Sequence, residues 1–519
     1  MWKWNGLRRV NRTTILMVGC GAFLAGLVAA RRIDGLSGWV VLGAAGVAVA
    51  ALRRRTGFTM LLVLIAGLGL GIWRGDAYLQ RMQPYRALAH RKVTFQATAN
   101  IDAVYGKNSQ LSLTVRDVQF ESPERIRVPG MIKVSGFGEM MVYHGDRLEV
   151  SGSLYPTRGA AQASVGFAEL HRLSSGTSPI DTLRRKFAAG LQSVLPEPLA
   201  SFGMGLLVGQ RNTLPADLTQ TLLMVGLTHI IAVSGYNLTI LLQASRRLLG
   251  ERSKRLSVAA ALALIFGFLL IAGDSASIVR AAVISIMGLM AWYYGRSVRP
   301  VLLILLAAAG TAYANPVYLW ADISWYLSFL AFFGIMVLGP VITRKFYGEK
   351  EPPLLVGIAL ESICAEIMTL PVILYIFGQM SLVSLLANVL VVALIPLAML
   401  LSFVAGLAGM LIGNVAGWFA WPANILLTYM LDVVRLLSRI PHVFQQDRYL
   451  SVLDMVFCYL AVVGLVWISY RKRRRGQHAL LSVITDKLAG STYTGRDGRE
   501  TEIRSISAIA EPGGNEAVR

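Results

Sequence analysis

The sequence predicts a polytopic α-helical membrane protein with about 10–12 transmembrane helices and a β domain outside the membrane. Of the 519 residues, 55% are hydrophobic and 15% are charged. A soluble chain of this length would need more charge on its wetted surface. Apolar stretches of about 20 residues, enough to cross about 30 Å of hydrocarbon, recur along the chain. One segment between them alternates apolar and polar residues instead, which is the period of half-buried strands.

Residues 1–75 predict three transmembrane helices, at 14–30, 38–52 and 58–73. Arginine and lysine collect in cytoplasmic loops. This rule places three arginines of the N-terminal segment and three of the first loop in the cytoplasm: Arg8, Arg9, Arg12, Arg53, Arg54 and Arg55. They outnumber Arg31 and Arg32, which this assignment leaves outside. The N-terminus is then cytoplasmic, and residues 76–175 follow the third helix on the external side.

Residues 76–175 predict a β domain. The runs Val93-Thr-Phe-Gln-Ala-Thr-Ala and Leu111-Ser-Leu-Thr-Val alternate, and turn sequences such as His144-Gly-Asp-Arg separate them. Several short strands within about 80 residues favour a small closed β-barrel of the OB type. A structural cap without a ligand fits this periodicity equally well, so both interpretations stay open.

The rest of the chain is again mostly apolar. Residues 176–200 predict an amphipathic linker helix at the membrane interface. Residues 201–470 form the main transmembrane domain, with predicted helices at 226–242, 256–273, 278–294, 299–314, 323–341, 354–377, 380–396, 397–413 and 452–470. Its basic loops all fall on the cytoplasmic side if 226–242 crosses inward. Residues 418–439 predict an external interfacial helix, and residues 471–519 a basic, disordered cytoplasmic tail.

Several ionisable residues lie within these apolar helices, where each costs about 2.5–3.5 kcal/mol on insertion scales. Arg280 is the clearest case, and Glu361 and Glu366 interrupt the helix at 354–377. In one explanation, Arg280 forms a buried pair with Glu361 or Glu366 that fixes the register of the helices. In the other, Arg280 faces a polar lumen. Asp322 and Asp454 lie near helix ends, where closeness to the membrane surface accounts for them.

The segment 226–242 is unusually polar for a transmembrane helix, since it holds His229, Ser234, Gly235 and Asn237. A helix break at Ser234 and Gly235 would be tolerated only where the backbone lines a cavity. A membrane-embedded hydrolase using Ser234 and His229 is an alternative, but no third orienting group lies nearby in sequence. P-loop, dinucleotide-binding and HExxH motifs are missing from the sequence, and the three cysteines and six histidines are scattered. The sequence therefore predicts no catalytic residues, no metal and no cofactor.

Five sequence blocks in order resemble the competence domain of ComEC-type DNA-uptake proteins. They are Gly205-Leu-Leu-Val-Gly-Gln-Arg, Gly226-Leu-Thr-His-Ile-Ile-Ala-Val-Ser-Gly, Gly273-Asp-Ser-Ala-Ser-Ile-Val-Arg-Ala, Asn315-Pro-Val-Tyr-Leu-Trp-Ala-Asp-Ile-Ser-Trp-Tyr-Leu-Ser, and Leu370-Pro-Val-Ile-Leu-Tyr-Ile-Phe-Gly-Gln with Leu386-Ala-Asn-Val-Leu. In the β domain, Gly145-Asp-Arg-Leu-Glu-Val-Ser-Gly is similar to that family's OB-like domain. The family has an aspartate where Gln210 stands and a histidine where Asn237 stands, so a metal or proton role there is not expected.

The resemblance implies a channel, not an enzyme, that carries single-stranded DNA across the bacterial cytoplasmic membrane during natural transformation. Its path residues would be His229, Ser234, Gly235, Asn237, Arg280, Ser324, Ser328, Glu366 and Asn388. In the OB-like domain, Phe95, Tyr105 and Arg116 would contact DNA by stacking and charge. A secondary transporter of a small anion is a rival, but the inverted repeats typical of that class are not evident.

The same resemblance implies partners. The sequence holds no HxHxDH pattern, so we expect the form that lacks the C-terminal metallo-β-lactamase-like domain of many relatives. A separate nuclease would then degrade the other strand, with a DNA receptor outside and an ATP-driven motor in the cytoplasm. The remaining partners are single-stranded DNA and the lipid bilayer.

Overall fold

A computed structural model describes residues 10–33, 38, 43, 46, 56–100, 103–105, 110–137, 142–157, 161–176, 178–209, 214–231, 253–272, 276–296, 299–348, 350–412 and 416–468. The chain divides into two units, Met1–Val456 and Phe457–Arg519. Three predicted segments lie wholly or largely outside the described residues: the helix 38–52, the part of 226–242 beyond Ile231, and the tail 471–519.

Most described residues are helical. The α-helices are α1 Arg12–Ala29, α2 Gly57–Arg81, α3 Gln83–Ala87, α4 Pro179–Val194, α5 Leu199–Val208, α6 Ala216–Val225, α7 Thr228–Ile231, α8 Lys254–Ala272, α9 Ala276–Tyr293, α10 Pro300–Ala314, α11 Val317–Ala321, α12 Ile323–Phe333, α13 Gly339–Tyr347, α14 Leu354–Phe377, α15 Ser384–Val391, α16 Ile395–Leu411, α17 Gly417–Ser438 and α18 Val452–Ile468. A π-helix, Gly334–Leu338, joins α12 to α13, and a 3₁₀ turn, Val392–Leu394, joins α15 to α16.

Within the described residues, five helices are long and apolar enough to cross a membrane. They are Arg12–Ala29, Gly57–Arg81, Ile323–Tyr347, Leu354–Phe377 and Ser384–Leu411. Shorter apolar helices are α5, the Ile278–Tyr293 part of α9, α10 and α18. The prediction of a polytopic α-helical membrane protein is thus confirmed, while the number of about 10–12 crossings stays a prediction.

Helices α1 and α2 are in close contact because glycines line their interface. A Cβ atom on Gly26 would overlap the carbonyl oxygen of Leu68, and one on Gly71 would overlap that of Phe23. Small residues let helix backbones approach closely inside a membrane, where dispersion contacts replace the hydrophobic effect. The first and third predicted helices therefore pack directly on each other.

This packing predicts that Gly26→Val destabilises the protein by about 1–3 kcal/mol, because the added methyl groups force the two backbones apart. A loss of thermal stability of the detergent-solubilised protein would measure it. Gly21→Val on the same helix is the matched control, since a Cβ there meets nothing within 4 Å. Equal stability of the two variants would contradict the close crossing.

The β domain contains seven strands: β1 Lys92–Ala99, β2 Val104–Tyr105, β3 Gln110–Ser122, β4 Ile126–Val128, β5 Ile132–Phe137, β6 Arg147–Pro156 and β7 Ala163–Ser174. Strand β1 pairs with β3 and β6, β3 also pairs with β5, and β6 with β7. Strands β5 and β7 pair in parallel, which links the series β1–β3–β5 to the series β1–β6–β7. Among these five strands each has two neighbours, and the pairing returns to its start; β2 and β4 pair with β3 in addition. Alternate residues such as Val93, Leu113 and Val150 fill the core, as the two-residue period predicts.

Side-chain hydrogen bonds connect the β domain to α2 and to α4. At α2, the Gln162 side-chain amide donates to the Tyr78 hydroxyl at 2.7 Å. Near α4, the buried Asp146 carboxylate accepts backbone N–H bonds from Tyr143 at 3.0 Å and Gly176 at 2.8 Å. Beside it, His144 Nδ1 donates to Asp181 Oδ1 of α4 at 2.8 Å. Both connections use side chains that are fixed by hydrogen bonds.

The largest core contains residues of α4–α7 and α15–α17. The predicted interfacial helix at 418–439 is α17, and it contributes seven buried residues to this core. Its exposed residues include the apolar Trp418, Trp421 and Ile425 and, further along, the charged pair Asp432 and Arg435. Both a packed face and a mixed outer face fit a helix at the membrane interface. The interfacial placement of α17 stays a prediction.

Candidate functional site

Arg280 lies in α9, and its side chain is buried in the protein, with 1% of its surface exposed. Its Nη2 donates to the Ser324 carbonyl oxygen at 3.0 Å, and its Nη1 lies 3.7 Å from Asp322 Oδ2. Asp322 is the N-cap of α12, where Oδ1 accepts from the Ser324 N–H at 3.0 Å and from the Ser324 hydroxyl at 2.8 Å. The start of α12 therefore supplies both the counter-ion and the acceptor for this buried cation.

This pairing corrects one prediction. The partner of Arg280 is Asp322, whereas Glu361 is exposed and Glu366 bonds to another residue. Asp322 is buried, with 8% exposed, and directly precedes the apolar helix Ile323–Tyr347, so its position near the membrane surface stays a prediction. The pattern of an aspartate two residues before a serine at a helix start was a sequence signal for this cap.

The charge of Arg280 is compensated only in part. Its Nε and Nη1 atoms are buried and have no hydrogen-bond partner among the described residues. A buried donor without a partner costs about 1–3 kcal/mol, and more on a charged group. Such groups in native proteins call for a water molecule, an ion or a ligand. The pair is therefore a polar point inside apolar helices, with spare capacity to bind an acceptor.

A second polar group lies where α6, α14 and α15 meet. The Ser384 hydroxyl donates to Glu366 Oε1, and Asn388 follows Ser384 by one helical turn on the same face of α15. Gly226 ends α6 at φ +82°, and a Cβ there would come within 2.8 Å of the Ser384 Cβ. The left-handed turn at Gly226 therefore fits directly against this serine.

This second group also contains buried atoms without partners. Ser381 Oγ and Asn388 Oδ1 have none within the part of the chain that the structure describes. On the other side of the turn, the exposed His229 donates from Nδ1 to the Gly226 carbonyl oxygen at 3.1 Å. Glu366, Asn388 and His229 are thus gathered around one turn, although their helices are far apart in sequence.

The remaining predicted path residues have separate outcomes. Ser324 is exposed and Ser328 is half-buried, and they lie one turn apart on the same face of α12. Ser234, Gly235 and Asn237 lie outside the described residues. The sequence singles out Arg280, Glu366 and Asn388 as site residues. It does not single out Asp322, Ser381 and Ser384. Asp322 lies at a helix end and the two serines are small, so hydrophobic periodicity does not distinguish them.

The three candidate DNA-binding residues of the β domain have different outcomes. Phe95 is fully buried and makes an edge-to-face contact with Phe120 at 5.4 Å, so its ring has no surface on which a base could stack. Arg116 keeps 40% of its side chain exposed beside Asp117. Tyr105 pairs with Leu111 through its backbone in β2. We therefore withdraw Phe95 and keep the other two as predictions.

Comparison with known proteins places these helices in a family. Residues 206–472, over half of the 519-residue chain, match the profile of the Competence protein family. The chain belongs to the competence protein family. ComE operon protein 3 of Bacillus subtilis (strain 168) is 22% identical over 409 residues, which cover 72% of this chain and 51% of that protein. The chain thus spans about half the length of this curated relative. No solved structure matches it.

Both polar groups belong to the part that defines this competence protein. Arg280, Asp322, Glu366, Ser384 and Asn388 all fall within residues 206–472, whereas the β domain precedes them. Among the described residues, no group of three or more His, Cys, Asp or Glu side chains is placed to hold a metal. The distinguishing chemistry of the matched region is therefore a set of buried polar side chains inside apolar helices.

Proposed function

We propose that this competence-family protein carries single-stranded DNA across the cytoplasmic membrane during natural transformation. The observation that carries the proposal is the presence of two polar groups, Arg280 with Asp322 and Glu366 with Ser384, inside the apolar helices of the family region. Each phosphate of a DNA strand is an anion that hydrocarbon excludes, so its path needs water or polar and cationic side chains.

In this proposal, the residues that line or shape the passage are His229, Ser234, Gly235, Asn237, Arg280, Ser324, Ser328, Glu366 and Asn388. Arg280 shapes it, because its guanidinium is buried against α12 and holds that helix in place. Exposed Ser324 and His229 line it. The polypeptide acts as a channel rather than as an enzyme, and a cytoplasmic ATP-driven motor pulls the strand.

The β domain receives the strand on the external side, and both termini are cytoplasmic. The excess of arginine and lysine in the predicted inner loops supports this orientation. The cyclic strand order β1–β3–β5–β7–β6, with one parallel pair, supports a five-stranded OB-like barrel. OB folds bind single strands through basic grooves and aromatic stacking. An external DNA receptor and a separate nuclease would deliver the strand.

A clean deletion tests this function when surface DNA binding, arrival of DNA in the cytoplasm and growth are scored separately. We expect cytoplasmic arrival alone to be lost. Normal arrival would refute the channel, and a growth defect that a small anion relieves would favour the transporter. Labelling of Ser234 by an activity-based serine probe would favour the hydrolase.

A further inference from the structure

Two phenylalanine rings lie together on the outer surface of the β domain. Phe137 at the end of β5 is 60% exposed, and Phe167 in β7 is 79% exposed. Their ring centroids are 6.2 Å apart and their planes are inclined by 34°. Aromatic side chains usually bury most of their area, so two exposed rings in contact indicate a surface that binds a ligand or a partner molecule.

The backbone at Phe167 is distorted in a way that displays the ring. Between the pairs Val134↔Val165 and Gly136↔Ala168, β7 contains one residue more than β5. Phe167 lies in this bulge at φ +52°, a conformation that bulky residues rarely adopt. Bulges and strained residues cluster at functional sites because they re-aim a side chain. Without the extra residue, strand alternation would be unbroken at this point.

The surface around the rings is polar and charged. On β5, Lys133, Ser135 and Phe137 alternate with buried residues and so share the outer face. Across the strand pair they lie beside Thr114, Ser112 and Gln110 of β3 in that order. Arg116 continues the same face of β3 and is 40% exposed. Two rings, two cations and short hydrogen-bonding side chains thus occupy one face of neighbouring strands, with the carboxylates of Glu169 and Asp117 beside Phe167 and Arg116.

We propose that Phe137 and Phe167 form a base-stacking site for a single nucleic acid strand, with Lys133 beside its phosphates. This inference rests on the proposed function and identifies where the β domain holds the strand. Every base has a flat face that stacks on an aromatic ring, so such a site accepts any sequence, while cations bind the backbone. A surface that inserts into lipid would surround its rings with further apolar side chains, whereas Gln110 and Ser135 flank Phe137 and the exposed Glu169 follows Phe167.

The test compares two ligands on the full-length protein in detergent: an oligothymidylate and an abasic oligodeoxynucleotide of equal length. We expect the wild-type protein to prefer the oligothymidylate. In the double variant Phe137→Leu with Phe167→Leu, that preference should fall roughly 5- to 100-fold, because leucine keeps the apolar volume but lacks a stacking face. Lys133→Gln should weaken the binding of both ligands alike and reduce its salt dependence.

Two controls separate stacking from other effects. Leu173→Ala removes another exposed apolar side chain of β7, 48% exposed, and should leave the preference unchanged. Phe167→Tyr should retain it. A double leucine variant with full base preference would overturn the proposal, and so would a wild-type protein that prefers neither ligand. Vesicle binding that survives in the leucine variant but is lost with serine at both positions would assign the rings to the membrane instead.

These outcomes are independent of the channel itself. Normal arrival of DNA in the cytoplasm of the deletion strain would refute the proposed function. An unchanged base preference in the leucine variant, with arrival lost in the deletion strain, would refute only the stacking site.

Discussion

Arg280→Ala is expected to abolish transformation while the protein stays in the membrane. The change leaves Asp322 buried without its counter-ion, and breaking a buried pair in this way costs about 3–5 kcal/mol. It also removes the donor that joins α9 to the Ser324 carbonyl at the start of α12. Insertion should persist, because it depends on apolar helices that the change leaves intact. Transformation frequency at equal protein level measures the effect.

A double variant separates the two explanations that the sequence leaves open for Arg280. Removing both charges of a buried pair avoids the cost of leaving one charge unpaired. Arg280→Met with Asp322→Asn does this and keeps the N-cap of α12. If the pair only fixes the helices, this double variant should restore transformation. If the passage requires the charge, the double variant should remain inactive although it is stably folded. If the Arg280→Ala variant transforms at the wild-type frequency, Arg280 has neither role.

Asp322→Asn should reproduce part of the defect. The asparagine oxygen still caps α12, because asparagine is as good an N-cap as aspartate. The negative charge 3.7 Å from Nη1 is lost. We expect transformation to fall less than with Arg280→Ala, since the bond from Nη2 to the Ser324 carbonyl remains.

The cost of an ionisable group in lipid identified Arg280 and Glu366 from the sequence, but not their partners. Arg280 and Asp322 are 42 residues apart, and they lie in and directly before two nearly uniform apolar helices. Hydrophobic periodicity shows which face of a helix is buried only when the other face is polar. In the apolar helices of a membrane protein this contrast is absent, so helix pairing had to come from the structure.

In the β domain, the strand period was informative, and Phe95 shows how it was misread. Phe95 shares its face of β1 with Val93, Ala97 and Ala99, and all four are buried. The alternation Val-Thr-Phe-Gln-Ala-Thr-Ala therefore already placed Phe95 inside. Phe167 could not be found in this way, because the bulge in β7 interrupts the two-residue period. The exposed ring depends on an irregularity that alternation does not encode.

Glu366→Leu is expected to lower transformation by about 10- to 100-fold, the equivalent of a lost hydrogen bond to a charged group. The change leaves the Ser384 hydroxyl without its acceptor, next to Ser381 Oγ and Asn388 Oδ1, which already have no partner among the described residues. Ser381, Ser384 and Asn388 would then each hold a polar atom without a partner among the described residues. Surface DNA binding should persist, because the β domain contains none of these residues.

Glu361→Ala is the matched control for Glu366. It removes a carboxylate from the same helix, α14, but Glu361 is exposed and lies outside the group around Gly226. Transformation should therefore stay near wild type.

Glu366→Gln then distinguishes charge from hydrogen bonding, since its amide oxygen still accepts from Ser384 while the negative charge is gone. If Glu366→Gln and Glu366→Leu are equally defective, the charge matters to the passing strand. If Glu361→Ala is as defective as Glu366→Leu, the group around Gly226 has no special role, and the path must be sought along another face of α14.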